Sequence, residues 1–342
     1  MVPEHLRFGG GVSGTIFSPV VAIILLLAAV LICVLPRHKA IIPFLIPSIL
    51  IPGDQILVLG GLHFYPLRIL ILFGLIRIFI IKGRGDWSVF SGGLNKVDKA
   101  MILLTLTCAV AGVLLFRDAQ AAIFQVGEIY TAFGAFFILR CLIRNQDDVL
   151  LTIRTLGFIV VFLAAVMVCE QLTNGWNPYS LLGGARGAWS MERDGAIRAM
   201  ASFGQPLLAG TFGAVAVPLF AGLWMKEKRY RLTAAIGMGG ATVMAIASHS
   251  STCLAGVLAG LFALGLWPVR SGLRLIRWGI VVMLVSLHMV MKAPVWHLIA
   301  RLDLAGGSSS WHRFNLIDTC IHHFWDWWLV GTNANADWGW DM

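Results

Sequence analysis

Apolar runs dominate this chain, at 18–35, 40–51, 66–81, 99–116, 121–139, 155–169, 206–225, 232–248, 251–267 and 278–291. Runs of about 17–25 apolar residues match the thickness of bilayer hydrocarbon. No water reaches backbone N–H and C=O groups at that depth, so such runs must bond internally as helices. A β-barrel would show segments of about ten residues with alternating polarity, and none is visible. Composition agrees. Only 13% of residues are charged and mean hydropathy is +0.83, whereas a soluble chain carries about 25% charged residues. The expected fold is all-α: a polytopic transmembrane helix bundle of about ten spans, forming a single membrane domain over 1–342. No linker or fixed-period repeat divides it. Pro36, Pro43, Pro47, Pro52 and Pro66 interrupt the early part, and helices break at such residues. The run at 40–51 is therefore either a short span or a re-entrant or kinked hairpin reaching about residue 64.

Orientation follows from the cations. Arg37, Lys39, Lys82, Arg84, Lys96, Lys99, Arg140, Arg144 and Arg154 lie in short loops on one side. So do Lys226, Lys228, Arg229, Arg231, Arg270, Arg274 and Arg277. The opposite loops are longer and hold only Arg7, Arg68, Arg117, Arg186, Arg193, Arg198, Lys292, Arg301 and Arg313. The cation-dense side is cytoplasmic, so two long segments, about 170–205 and 292–342, are extracytoplasmic. The net charge of +9 is then mostly topogenic and gives no reason to expect nucleic-acid binding.

Other features are read as scaffold. The first span ends Cys33-Val34-Leu35-Pro36-Arg37 without a small-x-small cleavage site. The six cysteines form no Cys-x-x-Cys pair and read as small apolar residues, neither disulfides nor metal ligands. Gly204, Gly210, Gly213, Gly237, Gly239, Gly240, Gly256 and Gly260 have spacings that permit close helix packing. Arg77 sits within the third span, near its cytoplasmic end, and is expected to snorkel.

The two external segments hold the candidate chemistry. The first ends Arg198-Ala-Met-Ala-Ser-Phe-Gly-Gln-Pro206 directly before a span, which puts Arg198 at headgroup level. A guanidinium is always charged and grips phosphate with two parallel bonds. The alternative is that Arg198 pairs with an acidic lipid, with Glu192 or with Asp194. In the second segment Ser308, Ser309 or Ser310 serves as N-cap. Phe314, Ile317, Ile321, Phe324 and Trp328 then recur at helical spacing. Trp325, Trp327 and Trp328 suit an interfacial helix, and Arg313 lies near its anion-favouring N-terminus. The alternative is a plain interfacial anchor. His312, His322 and His323 lack a supporting ligand set, so a zinc site is rejected. Ser248-His249-Ser250-Ser251-Thr252 is a polar turn between spans on the outer side. No Walker loop, Gly-x-Ser-x-Gly elbow or paired-carboxylate site appears.

In their order and sidedness, the stretches 198–206, 247–252 and 308–331 resemble the O-antigen ligase and O-antigen polymerase superfamily of bacterial envelope enzymes. The resemblance implies an inverting, metal-independent glycosyl transfer at the outer face of the inner membrane, with no cofactor. The donor would be a glycan on undecaprenyl pyrophosphate, and the acceptor a glycan, lipid or protein hydroxyl. Arg198 and Arg313 would bind the pyrophosphate and stabilise it as it leaves. Arg193, His249 and Trp311, in the same external stretches, are further candidates for substrate binding, beside membrane lipid. This chain has Gly331-Thr-Asn where the family commonly has Gly-x-Gly. It also stops at Trp338-Gly-Trp-Asp-Met342, where the family continues through more external residues and further spans. On that basis the chain is expected to be C-terminally truncated, with the general base beyond it and His312 as the fallback. Two other classes stay open: a transporter or flippase of an amphipathic substrate, and a non-catalytic envelope scaffold. A transporter should carry broken helices and mid-membrane charges.

Overall fold

The computed structural model describes residues 15–59, 62–83, 93–183, 192–193, 195–298, 309–332 and 338. The chain is 78% helical, so the all-α class holds, with two short hairpins as the exceptions. The helices are α1 (Pro19–Val34), α2 (Ile41–Leu50), α3 (Pro66–Gly83), α4 (Lys96–Phe116), α5 (Ala119–Leu142) and α6 (Gln146–Leu172), followed by α7 (Pro206–Lys226), α8 (Arg231–Ala247), α9 (Ser251–Gly265) and α10 (Leu273–Val290). Two helices close the chain, α11 (Ser309–His322) and the single turn α12 (Phe324–Trp327). The hairpins are β1 (Leu57–Leu59) with β2 (Leu62–Phe64), and β3 (Glu192–Arg193) with β4 (Ala196–Ile197), both antiparallel.

Among the described residues, five helices are long and apolar enough to cross a membrane: α4, α5, α6, α7 and the stretch Trp267–Val290 that includes α10. α1, α2 and α9 are apolar but shorter. The ten-residue α2 rises only about 15 Å, half the hydrocarbon thickness. Beyond it the chain runs on without helix to the β1–β2 hairpin, in line with the hairpin alternative for this region. Such backbone is tolerated at depth only inside protein, and Pro52, Gln55 and Ile56 are buried. Ile56 pairs with Ile16 through both backbone groups, at 2.7 and 2.9 Å, and the Gln55 side chain ties the stretch to its neighbours: its Oε1 accepts the Ser18 N–H at 2.8 Å, and its Nε2 donates to the Leu182 and Gly183 carbonyls.

α8 packs tightly against both α6 and α7, with α9 against α7; α3 joins α1 and α5 in a second group, and α2 bridges the two. Lipid tails are as apolar as leucine, so helix association rests on close packing. Several glycines provide it. A Cβ on Gly213 would lie 2.6 Å from the Ala241 carbonyl oxygen, one on Gly237 would meet the Phe220 ring at 2.8 Å, and one on Gly260 would meet Pro218 at 2.8 Å. Gly204 and Gly239 face open space instead, so the glycine pattern marks packing only in part. α4 leans on α5, and α10 has no buried residue.

The helices alternate in direction, which gathers the cation-rich loops at one end. There Arg37 reaches Asp148 at 2.7 Å, Arg140 reaches Asp98 at 3.3 Å and Arg154 stacks over Tyr230. Asp148 and Asp98 each close a capping box, with Asn145 and Asn95 as the N-caps. Each carboxylate thus serves its own helix N-terminus and a neighbouring arginine at once. Arg77 departs from the expectation of snorkelling. It is 8% exposed and its Nη1 donates to the Ile32 and Leu35 carbonyls at the end of α1. A helix C-terminus leaves carbonyls without intrahelical donors, and Arg77 meets them from α3.

Candidate functional site

At the opposite end of the bundle, α6 ends, α7 and α9 begin and α8 ends. Residues 197–203 thread among them and are fixed on every side. Glu170, in the last turn of α6 and 2% exposed, accepts the Met200 and Ala201 N–H groups on Oε2, each at 3.0 Å. Asn177, fully buried, accepts the Tyr179 N–H and donates to the Ala201 carbonyl at 2.9 Å. Gln171 Nε2 donates to the Ile197 and Ala247 carbonyls, and the Ala199 N–H donates to Ala247 at 3.1 Å. Ser202 Oγ donates to the Ile49 carbonyl at 2.8 Å. Ala201 is held at φ 48°, a left-handed conformation that costs a residue with a Cβ about 1 kcal/mol. The bonds on both of its backbone groups offset that cost.

This clamp presents Arg198. Its Nε donates to the Ser248 carbonyl at 3.2 Å, 50 residues away along the chain. Arg313, on the first turns of α11, donates through Nη2 to Thr252 Oγ1, 61 residues away. The two arginines therefore meet one short stretch of chain, at Ser248 just after α8 and at Thr252 in the first turn of α9. Gly210 makes room for that stretch: a Cβ there would lie 2.2 Å from Ser248 Oγ and 2.5 Å from Cys253 Sγ. His249 lies between, exposed and at φ 45°. Both arginines are half-buried. Among the described residues no carboxylate pairs with either one, so most of their donors remain open to an anion.

The other sequence candidates fall as follows. Trp311 lies on α11 and is 54% exposed. Arg193 sits on β3 and His312 on α11, but their side chains lie outside the described residues, as do Arg186, Asp194, Arg301 and Ser308. The expected helix after Ser310 is present as α11. It breaks at His323 rather than running on through Trp328, and α12 resumes for one turn. Trp296 Nε1 donates to Asp318 Oδ1 and the His297 ring packs edge-on against Phe314, which seats α11 on the turn Val295–His297. Among the described residues no three His, Cys, Asp or Glu side chains group as metal ligands do.

Sequence reasoning missed the clamp. Glu170, Gln171 and Asn177 read as ordinary polar residues after a span. Their one signal is the position of a carboxylate and an Asn-Gly turn (Asn174-Gly175) at the end of a helix. It also missed a cavity of about 350 Å3 beside the clamp, walled by Ser202, Phe203 and Phe212 and by Tyr65, Arg68 and Glu128. Arg68 pairs there with Glu128 at 3.3 Å and donates to Thr131 and the His63 carbonyl. Comparison with protein-family models, with curated proteins and with solved structures finds no match to this chain.

Proposed function

We propose that this chain is a ten-span glycosyltransferase of the bacterial inner membrane, of ligase or polymerase type, working at its extracytoplasmic face. The observation that carries this reading is the convergence of Arg198 and Arg313 on residues 248–252. Two guanidiniums on one short stretch, with no carboxylate partner among the described residues, suit a pyrophosphate better than a single phosphate. In the reaction, an acceptor hydroxyl oxygen forms a bond to the anomeric carbon of the lipid-linked glycan. The bond from that carbon to the pyrophosphate oxygen breaks, and the configuration inverts. Negative charge builds on the departing undecaprenyl pyrophosphate, where fixed guanidinium donors lower the barrier. The hydroxyl proton passes to a general base, with His312 as the candidate within this chain. The cavity beside the clamp, with an aromatic ring, a carboxylate and a guanidinium, suits sugar or headgroup.

The test is transfer of glycan from a purified undecaprenyl-pyrophosphate donor by membranes carrying the protein. Arg198→Ala and Arg313→Ala should each abolish transfer while membrane insertion stays normal. Removing one preorganised donor from a transition-state site costs about 10²–10³-fold. Transfer at the normal rate by both variants would remove the two arginines from the mechanism. One observation favours a transporter as the second reading: the non-helical stretch after α2, a broken crossing of the kind transporters use. Donor translocation without transfer, in sealed vesicles, would establish it.

A further inference from the structure

The outer surface of α6 carries a feature that the glycosyl-transfer reading does not use. A groove of about 630 Å3 lies along this helix, flanked by α2 and α8. Its walls are apolar: Ile42 and Ile46 from α2, Leu151, Phe158 and Val161 from α6, and Ile236 from α8. Phe158, Ile236 and Val161 are 60%, 51% and 38% exposed, so the groove opens outward. All three helices start at the cation-rich end, and the groove runs inward from there. Its mouth is charged. Arg154 is the only charged residue among the described ones in the lining. Its guanidinium carbon lies 5.2 Å from the centre of the Tyr230 ring, and that of Arg229 lies 5.7 Å from the same ring. Both arginines are exposed. Among the described residues neither pairs with a carboxylate, and Asp148, in the first turn of α6, is held by Arg37 at 2.7 Å. Two cations gathered on one ring beside lipid repel each other, and an anion between them relieves that repulsion.

We infer that this groove seats one acidic phospholipid of the leaflet at the cation-rich end, with its phosphate at Arg154 and Arg229 and an acyl chain along α6. The depth fits. α6 has 27 residues and is about 40 Å long, about 10 Å more than the hydrocarbon is thick. Arg154 lies about 12 Å from its start, so its guanidinium reaches the level of the phosphates. Phe158, Val161, Ile46 and Ile236 lie deeper, where acyl chains run. The size fits as well, since clefts of about 300–1,000 Å3 hold small ligands. A free phosphate would meet the same guanidiniums, but only a lipid also fills the apolar groove. Basic sites between helices at a membrane's cytoplasmic side are where anionic headgroups settle.

The experiment is native mass spectrometry of the full chain in detergent, with dioleoyl-phosphatidylglycerol, dioleoyl-phosphatidylcholine or inorganic phosphate added. The expected result is one phosphatidylglycerol retained about tenfold more tightly than phosphatidylcholine. Arg154→Gln should weaken that adduct about tenfold, the loss expected for one charge-assisted hydrogen bond, and leave the two lipids retained alike. Arg229→Gln, at an exposed position, serves in its place if Arg154→Gln lowers the melting temperature. Val161→Trp fills the groove and leaves both arginines, and should weaken retention of both lipids. Equal retention of the two lipids by the unaltered protein, or an adduct of normal strength in the arginine variant, would overturn the inference. Normal retention by Val161→Trp would remove the acyl chain from the groove. Displacement of the lipid by millimolar inorganic phosphate would overturn the choice of lipid over free anion. None of these outcomes depends on glycan transfer.

Discussion

At the scale of single residues, the candidate site depends on groups that never face a substrate. Glu170 is the clearest. One buried oxygen holds two consecutive N–H groups, Met200 and Ala201, and keeps Ala201 in its left-handed conformation. Glu170→Ala should cost about 2–3 kcal/mol, since hydrogen bonds to a charged group are worth about 1.5–3 kcal/mol each and part is recovered by relaxation. The same variant should speed amide hydrogen exchange at Met200 and Ala201 well beyond any change in α6. Uniform exchange across the chain would mean that Glu170 stabilises the bundle at large and not this segment. Gly210 gives a second prediction. An added methyl meets Ser248 and Cys253 at sub-contact distances, so Gly210→Ala should lower stability by about 1–3 kcal/mol, as overpacking does. Gly239→Ala, facing open space, should lose nothing in the same thermal melt. The sequence marked both glycines alike. Spacing identifies a small residue but not what lies across from it, and for that reason Gly210 was legible as packing while its part in seating the turn was not.

At the scale of elements, two helices begin with the same device. Asn95-Lys-Val-Asp98 and Asn145-Gln-Asp-Asp148 each close a capping box whose aspartate also holds an arginine from another helix or loop. The capping half is readable from an Asn followed three residues later by an acid. The arginine half is not, because Arg37 and Asp148 lie 111 residues apart. Asp148→Asn should destabilise the protein by about 2 kcal/mol, below the usual cost of breaking a fully buried pair because Arg37 is partly exposed. Release of the loop after α1 from the start of α6, followed by crosslinking between cysteines placed beside Arg37 and Asp148, checks this. If crosslinking is unchanged, the pair does not hold the loop to α6. The all-α class was legible, since long apolar runs must bond internally in lipid, and five of the described helices are long enough to cross a membrane. The prolines also marked 40–51 as short. A run of prolines marks a break, but it shows neither the Ile16–Ile56 backbone pairing nor the three bonds by which Gln55 ties the stretch to residues 18, 182 and 183.

At the scale of the whole molecule, the alternation of helix direction separates two chemically different ends. One carries Arg37, Arg140, Arg144 and Arg154 with their acidic and aromatic partners. The other carries the clamp, the turn at 248–252 and α11. If the cation-rich end is cytoplasmic, as loop charge requires, an alkaline phosphatase fusion after Gly175 should be active in bacterial cells and one after Glu227 inactive. The reverse pattern would invert the molecule and place both arginines of the candidate site in the cytoplasm. The seating of Arg198 and Arg313 on one short stretch also has a consequence in time. A chain emerging from the ribosome completes Arg198 and its turn while Arg313 is still to be made. At about 5–20 residues per second, the 61 residues between Thr252 and Arg313 take roughly 3–12 seconds. For that interval the nascent protein holds one guanidinium of the pair in position, and the other is not yet translated. Each newly inserted molecule therefore completes the pair of arginines on this stretch only once α11 has been made.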